Sequence, residues 1–175
     1  MNQDKIDKLN SIIPRYNQYT QSQLQIDIDT VLDCGNVKAF DYGKSHCNLI
    51  SFWACNVASG KTDMAYSYFF KSLIDKKYCQ PDGTLLIKKD QLCKEIFNYD
   101  FEIKYFQDFK DVLDPINLDS EKFYQMRIIN TSHFISTYVQ DGKLYLSDTN
   151  DRGIGVLAVG KKRIDKNYFS WLLEI

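Results

Sequence analysis

One cysteine, one histidine and one carboxylate stand out among the residues of this chain that can do chemistry. Cys47 opens a long apolar segment at 45–57, and His133 and Asp148 return together in a predicted hairpin at 133–149. The thiolate is the reactive form of cysteine, and both a helix N-terminus and a nearby imidazolium favour it. An acidic or amide partner then holds the imidazole in the useful tautomer. The chain has only two histidines, so few other assignments compete.

The geometry of the hairpin follows from the dipeptide Asp-Gly at 141–142, which is a strong two-residue turn signal. Paired residues share one face of a sheet, and side chains alternate between faces along a strand. We therefore expect Asp148 and Asn150 to share the face of His133. Asp148 is the preferred orienting group because its charge also stabilises an imidazolium, and Asn150 is the alternative. The register pairs Gln140 with Lys143, Ile135 with Asp148, and His133 with Asn150.

The other cysteines and the second histidine are weaker candidates. Five cysteines without a CxxC pair or zinc-ligand spacing predict free thiols in a reducing compartment, and we expect no metal and no cofactor. Cys34 is the rival nucleophile, but no helix follows it directly. Cys55 and Cys93 lie in apolar helical patterns, where cysteine usually only packs. His46 adjoins Cys47, and neighbouring helical side chains point to different faces, so it could act as a base only with difficulty.

Composition and charge narrow the classes of function. The 175 residues suit one compact domain, with 44% hydrophobic and 26% charged residues. The net charge of −1 and the scattered lysines give no footprint for nucleic acid or anionic lipid. The N-terminus has no apolar signal region, and no stretch reaches transmembrane length, so we expect a cytoplasmic protein without a membrane partner.

The elements that must position the candidate residues follow from hydrophobic periodicity. Helices are predicted over 4–13, 45–57, 62–77 and 90–99, with Ser45 as N-cap of the second, Asp90 as cap of the last, and a turn at Pro-Asp-Gly 81–83. Strands are predicted over 101–106, 123–129, 133–139, 143–149, 154–159 and 168–175. Helices followed by an antiparallel sheet make the chain α+β. We divide it into an N-terminal helical arm, 1–22, and a single α+β domain, 23–175.

These motifs resemble the papain-like cysteine peptidases. A cysteine heads a central helix, more helices and a Pro-Asp-Gly turn follow, and strands then carry the segment HFISTYVQDGKLYLSDTNDRG. The nearest branch in pattern is the peptidase-domain type that processes bacteriocins, and the similarity covers roughly residues 40–150. The whole chain also resembles plasmid- or prophage-encoded proteins of Borrelia spirochaetes. The family fold packs N-terminal helices, with the cysteine helix central, on a C-terminal antiparallel sheet.

The resemblance implies roles for three residues. Cys47 is the nucleophile, His133 the general base and acid, and Asp148 its orienting partner. One position departs from the family pattern, because Asp41 stands six residues before the cysteine, where the family usually places an oxyanion-binding Gln. A carboxylate repels a developing oxyanion, and loss of one such donor typically costs about a hundredfold or more in turnover. The backbone N–H of Cys47 remains a donor, and a second group could come from Asn36, Lys44 or Ser45.

The expected function is therefore a thiol hydrolase, a cysteine peptidase or amidase, that cleaves a peptide-like amide through an acyl-enzyme on Cys47. Peptidoglycan cross-links are one possible substrate, as for a phage-type endopeptidase. The departure at Asp41 motivates an alternative of a different class. In that alternative, the same papain-like fold is a catalytically silent module that binds a protein partner.

Overall fold

The computed structural model describes residues 1–12, 46–101, 105–106, 118–128, 133–147, 162–163 and 169–175. The helices are α1 (Gln3–Ile12), α2 (His46–Ala58), α3 (Tyr66–Asp75) and α4 (Lys89–Leu92), and a π-helical turn (Cys93–Phe97) continues α4. The strands are β1 (Tyr105–Phe106), β2 (Phe123–Ile128), β3 (Phe134–Gln140), β4 (Lys143–Ser147), β5 (Lys162–Arg163) and β6 (Phe169–Glu174).

The strands form one antiparallel sheet in the order β1-β6-β2-β3-β4-β5. β2 and β3 lie at its centre, and the C-terminal strand β6 pairs with β2. The helices precede the sheet in the chain, so the predicted α+β class is confirmed. The predicted strand at 154–159 lies outside the described residues, as does the boundary proposed at residue 22.

The hairpin of β3 and β4 has the predicted turn and register. Asp141 and Gly142 have φ values of 52° and 65°, as a type I′ turn requires of both central residues. Gln140 pairs with Lys143, and the ladder continues to Ser136 and Ser147. The next predicted pair, Ile135 with Asp148, extends past the described part of β4.

The cysteine helix α2 is buried on almost every side. Its apolar residues occupy positions all round the helix, which is typical of a helix in the middle of a domain. Phe52, Ala54 and Cys55 have no exposed surface, and α2 packs against both β2 and β3. The predicted central cysteine helix is therefore present. It begins at His46, and the predicted cap Ser45 lies outside the described residues.

Two helices differ in length from their predictions. α3 begins at Tyr66 and not at residue 62, because the segment before it bonds to its surroundings: Trp53 Nε1 donates to the Met64 carbonyl at 2.7 Å. The helix predicted over 90–99 is shorter, with a left-handed Asn98 (φ 58°) at its end. Its N-cap position is Lys88, so the predicted cap Asp90 lies inside α4.

The N-terminal helix α1 belongs to the same hydrophobic core as α2. Ile6 and Leu9 are completely buried at helical spacing. Asn10 Nδ2 donates to the hydroxyl of Tyr138 on β3 at 3.3 Å, and the N-terminal ammonium contacts Glu121 at 2.5 Å. Packing and polar contacts therefore attach α1 to the helices and to the sheet.

Candidate functional site

Cys47 lies in the first turn of α2, as the sequence predicts. It is 8% exposed, so little of its surface is in contact with solvent. One turn further along α2, the Ser51 hydroxyl donates to the Cys47 carbonyl at 2.6 Å. The N-terminal N–H groups of a helix and its dipole together favour negative charge in this turn.

The side chain of Gln125 attaches the first turn of α2 to the sheet. Gln125 is completely buried in the middle of β2. Its Nε2 lies 2.7 Å from the Asn48 carbonyl, 3.1 Å from Asn48 Oδ1 and 2.6 Å from Ser51 Oγ. On the neighbouring strand, the Ser136 hydroxyl donates to the Ser51 carbonyl at 3.1 Å. The turn that carries Cys47 is therefore held on β2 and β3 by buried polar contacts.

A buried lysine completes this polar cluster. Lys89, at the start of α4, is 7% exposed. Its Nζ donates to Asn48 Oδ1 at 3.0 Å and to Gln125 Oε1. The ammonium also lies over two aromatic rings, 5.2 Å from the centroid of Phe52 and 5.5 Å from that of Phe134. Amide oxygens and aromatic faces both attract a cation, so these groups compensate the buried charge of Lys89.

His133 is buried immediately before β3, with 5% exposure. In β3, the contacts of Phe134 with Lys89 and of Ser136 with Ser51 show that these two side chains face the helices. Alternation from Phe134 puts His133, with Ile135, on the opposite face of the sheet, so an approach of His133 to Cys47 requires the chain to depart from strand geometry before β3. Asn48 follows Cys47 in the chain and Phe134 follows His133, and both Asn48 and Phe134 contact the Lys89 ammonium.

The remaining predicted site residues lie outside the described residues. They are the orienting candidates Asp148 and Asn150, the oxyanion-region residues Asp41 and Ser45, and the rival nucleophile Cys34. Their predicted roles stay predictions.

The contacts of His46 indicate a structural role. Its side chain is 1% exposed, with Nδ1 2.6 Å from the Tyr66 hydroxyl and Nε2 3.4 Å from the Pro81 carbonyl. Burial lowers the pKa of His46 to about 4, and the Pro81 contact and the charge of Asp82 offset only part of this effect. His46 is therefore neutral at physiological pH, and it joins α2 to the turn at 81–83.

The cysteines in the apolar helical patterns are packed thiols. Burial raises the pKa of Cys55 to about 12, although a contact with Ser136 acts in the opposite direction. Burial likewise raises the pKa of Cys93 to about 11, and Cys93 Sγ lies 3.0 Å from the Tyr99 hydroxyl. Both thiols stay protonated at neutral pH, which separates them chemically from a thiolate nucleophile.

Sequence reasoning missed Lys89 and Gln125. Two adjacent lysines before a helix are typical of a solvated charge cluster, and Lys88 is indeed exposed. The signal for Lys89 was its helical phase, since Leu92 and Cys93 follow at three and four positions and both are completely buried. For Gln125, the signal was strand alternation, which puts it on the same face as the buried Phe123.

Comparison with known proteins adds no relative. No protein-family model, curated protein or solved structure matches this chain. Across the described residues, no helix has the length and apolar character needed to cross a membrane. In the same part of the chain, His, Cys, Asp and Glu side chains form no group of three or more that could hold a metal ion.

Proposed function

We propose that this protein is a papain-like thiol hydrolase with Cys47 as its nucleophile. The observation that carries the proposal is the position of Cys47 in the first turn of a buried helix, which packs on the strand that His133 precedes. The α+β order, with helices before an antiparallel sheet, supports the papain-like arrangement. The polar cluster of Asn48, Gln125 and Lys89 supports it further, because a rigid, hydrogen-bonded turn can hold a nucleophile in place.

The proposed reaction proceeds through a thioester. His133, oriented by Asp148 or Asn150, takes the proton of Cys47, and the thiolate attacks the carbonyl carbon of a peptide-like amide. The carbon–nitrogen bond breaks as the imidazolium of His133 protonates the leaving amine. Water, deprotonated by His133, then attacks the thioester and releases the acid and the free thiol. The substrate is a peptide or a peptide-like amide, with peptidoglycan cross-links as one subclass.

The test is the reactivity of each cysteine toward iodoacetamide at pH 7, resolved by peptide mapping. We expect Cys47 to be labelled at least about tenfold faster than Cys55 and Cys93, because only a thiolate reacts readily. His133→Ala should slow the labelling of Cys47 by about tenfold, since the imidazole no longer accepts its proton. Peptide aldehydes should form a reversible adduct with wild type and none with Cys47→Ala.

A matched control is Cys79→Ser, which removes a buried thiol that lies at the isolated bridge with Leu85. It should leave the labelling rate of Cys47 unchanged. Labelling of Cys47 no faster than that of Cys55 in folded wild type would refute the activated nucleophile.

The second candidate is a catalytically silent binding module on the same fold. It is favoured by the low exposure of Cys47, 8%, and by Asp41 in place of an oxyanion donor. The same experiment separates the two. An inert Cys47 without an aldehyde adduct supports the module, whereas a reactive Cys47 with an adduct supports the hydrolase.

A further inference from the structure

The buried ammonium of Lys89 is a charged group that the proposed reaction does not yet use. Among the residues whose burial the structure describes, Lys89 is the one buried lysine or arginine. A buried cation is expensive unless polar or aromatic groups compensate it. Here both kinds are present: amide oxygens of Asn48 and Gln125, and the ring faces of Phe52 and Phe134.

The compensating groups belong to α2, to β2 and to β3, the strand that His133 precedes. Asn48 follows Cys47 directly, and Phe134 follows His133 directly. Gln125 also donates to the Asn48 carbonyl and to Ser51, so one amide side chain contacts both Lys89 and the backbone of the turn. A displacement of Lys89 would therefore change both the charge and the hydrogen bonds of the first turn of α2.

The charge of Lys89 is coupled to the surrounding thiols. Burial lowers the pKa of Lys89 to about 7, and negative charge on Cys55, Cys93 or Cys47 would act in the opposite direction. The thiols belong to α2 (Cys47 and Cys55) and to the π-helical turn (Cys93), while His133 lies beside Phe134 before β3. Cys55 and Cys93 stay protonated at neutral pH because burial raises the pKa of each.

We infer that Lys89 is a positioning residue of the Cys47 site, which holds Asn48 and Gln125 and supplies positive charge that favours the Cys47 thiolate. The inference rests on the proposed function. A cation at a helix N-terminus adds to the helix dipole in stabilising negative charge. It would also supply positive charge to the turn, in a sequence that has Asp41 where the papain-like pattern has an oxyanion-binding amide.

The test compares the pH profile of iodoacetamide labelling of Cys47 in wild type, Lys89→Met and Lys88→Met. Methionine keeps the length and apolar character of the lysine stem but removes the charge. We expect Lys89→Met to slow labelling at pH 7 by about tenfold and to move the profile to higher pH. Lys88→Met changes the adjacent exposed lysine and should leave the profile unchanged. A folded Lys89→Met with the wild-type profile would overturn the inference.

A second measurement does not depend on the folding of Lys89→Met. Coupling between two charges is reciprocal, so removing the Cys47 thiol must change the titration of Lys89. In protein labelled with ¹³C at the lysine ε carbons, the titration midpoint of Lys89 should be lower in Cys47→Ala than in wild type. An unchanged midpoint would overturn the inference.

The two hypotheses fail in different ways. A Cys47 that is unreactive in wild type overturns both. A reactive Cys47 whose profile ignores Lys89 overturns the positioning role and leaves the hydrolase standing. A Lys89-dependent thiolate that forms no adduct with peptide aldehydes overturns the hydrolase and supports the role of Lys89.

Discussion

The side-chain amide of Gln125 donates to the backbone carbonyl of Asn48 at 2.7 Å and so joins the middle of β2 to the first turn of α2. This contact crosses from the sheet to the helix at the residue after Cys47. Backbone carbonyls in the first turn are normally used within the helix, so a second donor at this position adds to the local hydrogen bonding. The position of Cys47 thus depends on β2 as well as on its own helix.

Gln125→Leu should destabilise the protein by about 1–3 kcal/mol, because it removes an amide that contacts Asn48, Ser51 and Lys89 and leaves buried polar groups short of partners. Urea unfolding measures the change in the free energy of unfolding. The control is Gln140→Leu, whose amide makes an exposed contact with Gln3 and should alter stability by about 0.5 kcal/mol or less. Equal effects of the two substitutions would contradict the structural role of Gln125.

Acid should weaken the fold partly through His46. The folded-state pKa of His46, about 4, lies below its ordinary value of 6.5, so the unfolded chain binds more protons between these values. The contribution of His46 to stability is complete above pH 6.5 and is lost as the pH falls toward 4, by about 3 kcal/mol in total. His46→Gln should therefore show a shallower loss of unfolding free energy across this range. Parallel pH curves for wild type and variant would show that His46 titrates normally.

Above neutral pH, the free energy of unfolding should depend on pH through Lys89. Its folded-state pKa, about 7, lies below the ordinary 10.5, so stability should rise with pH above 7 as the unfolded chain alone stays protonated. The gain is about 1 kcal/mol between pH 7 and 8. Lys89→Met should remove this rise. The range ends at pH 8 because burial raises the pKa of Cys55, Cys79 and Cys93, and ionisation of these thiols in the unfolded chain offsets the gain at higher pH. A wild-type stability that is flat from pH 7 to 8 would contradict the prediction.

Gly83→Ala should be among the more damaging glycine substitutions. Gly83 has a φ of 86°, and an added Cβ would lie 2.8 Å from Cδ2 of the buried His46. Left-handed strain and the clash together should cost about 3 kcal/mol. Gly60→Ala is the matched control, because Gly60 has a similar φ of 80° but open space around it, so only strain of about 1 kcal/mol applies. Similar losses for both variants would mean that the turn moves away from His46 at no cost.

Local sequence patterns were enough to predict the elements with strong signals. The all-round apolar pattern of α2 predicted a central buried helix, because such a segment has no polar face to present to water. The Asp-Gly pair at 141–142 predicted both the turn and the register, since the type I′ geometry involves only neighbouring residues. Cys47 was placed in the first turn of its helix for the same local reason.

Tertiary contacts decided the helix boundaries that the sequence did not predict. The start of α3 depends on the bond from Trp53 to the Met64 carbonyl, and a bond between two elements leaves no periodic trace in the sequence. The helix predicted to end at residue 99 changes to a π-helical turn before Asn98, which hydrophobic spacing does not encode. Boundaries of this kind are set by the space that the neighbouring elements leave.

The candidate site divides in the same way. Cys47, His133 and the register of the hairpin follow from residue type, element and spacing. The cluster of Lys89, Asn48 and Gln125 does not follow from the sequence. Lys89 lies 41 residues from Asn48 and 36 from Gln125, and only packing brings the three together. Its burial was indicated by helical phase, but the partners that make a buried charge tolerable came from a different helix and from the sheet. The sequence determined the candidate nucleophile, and the tertiary structure placed a buried charge on the residue after it, Asn48, because only packing brings Lys89 there.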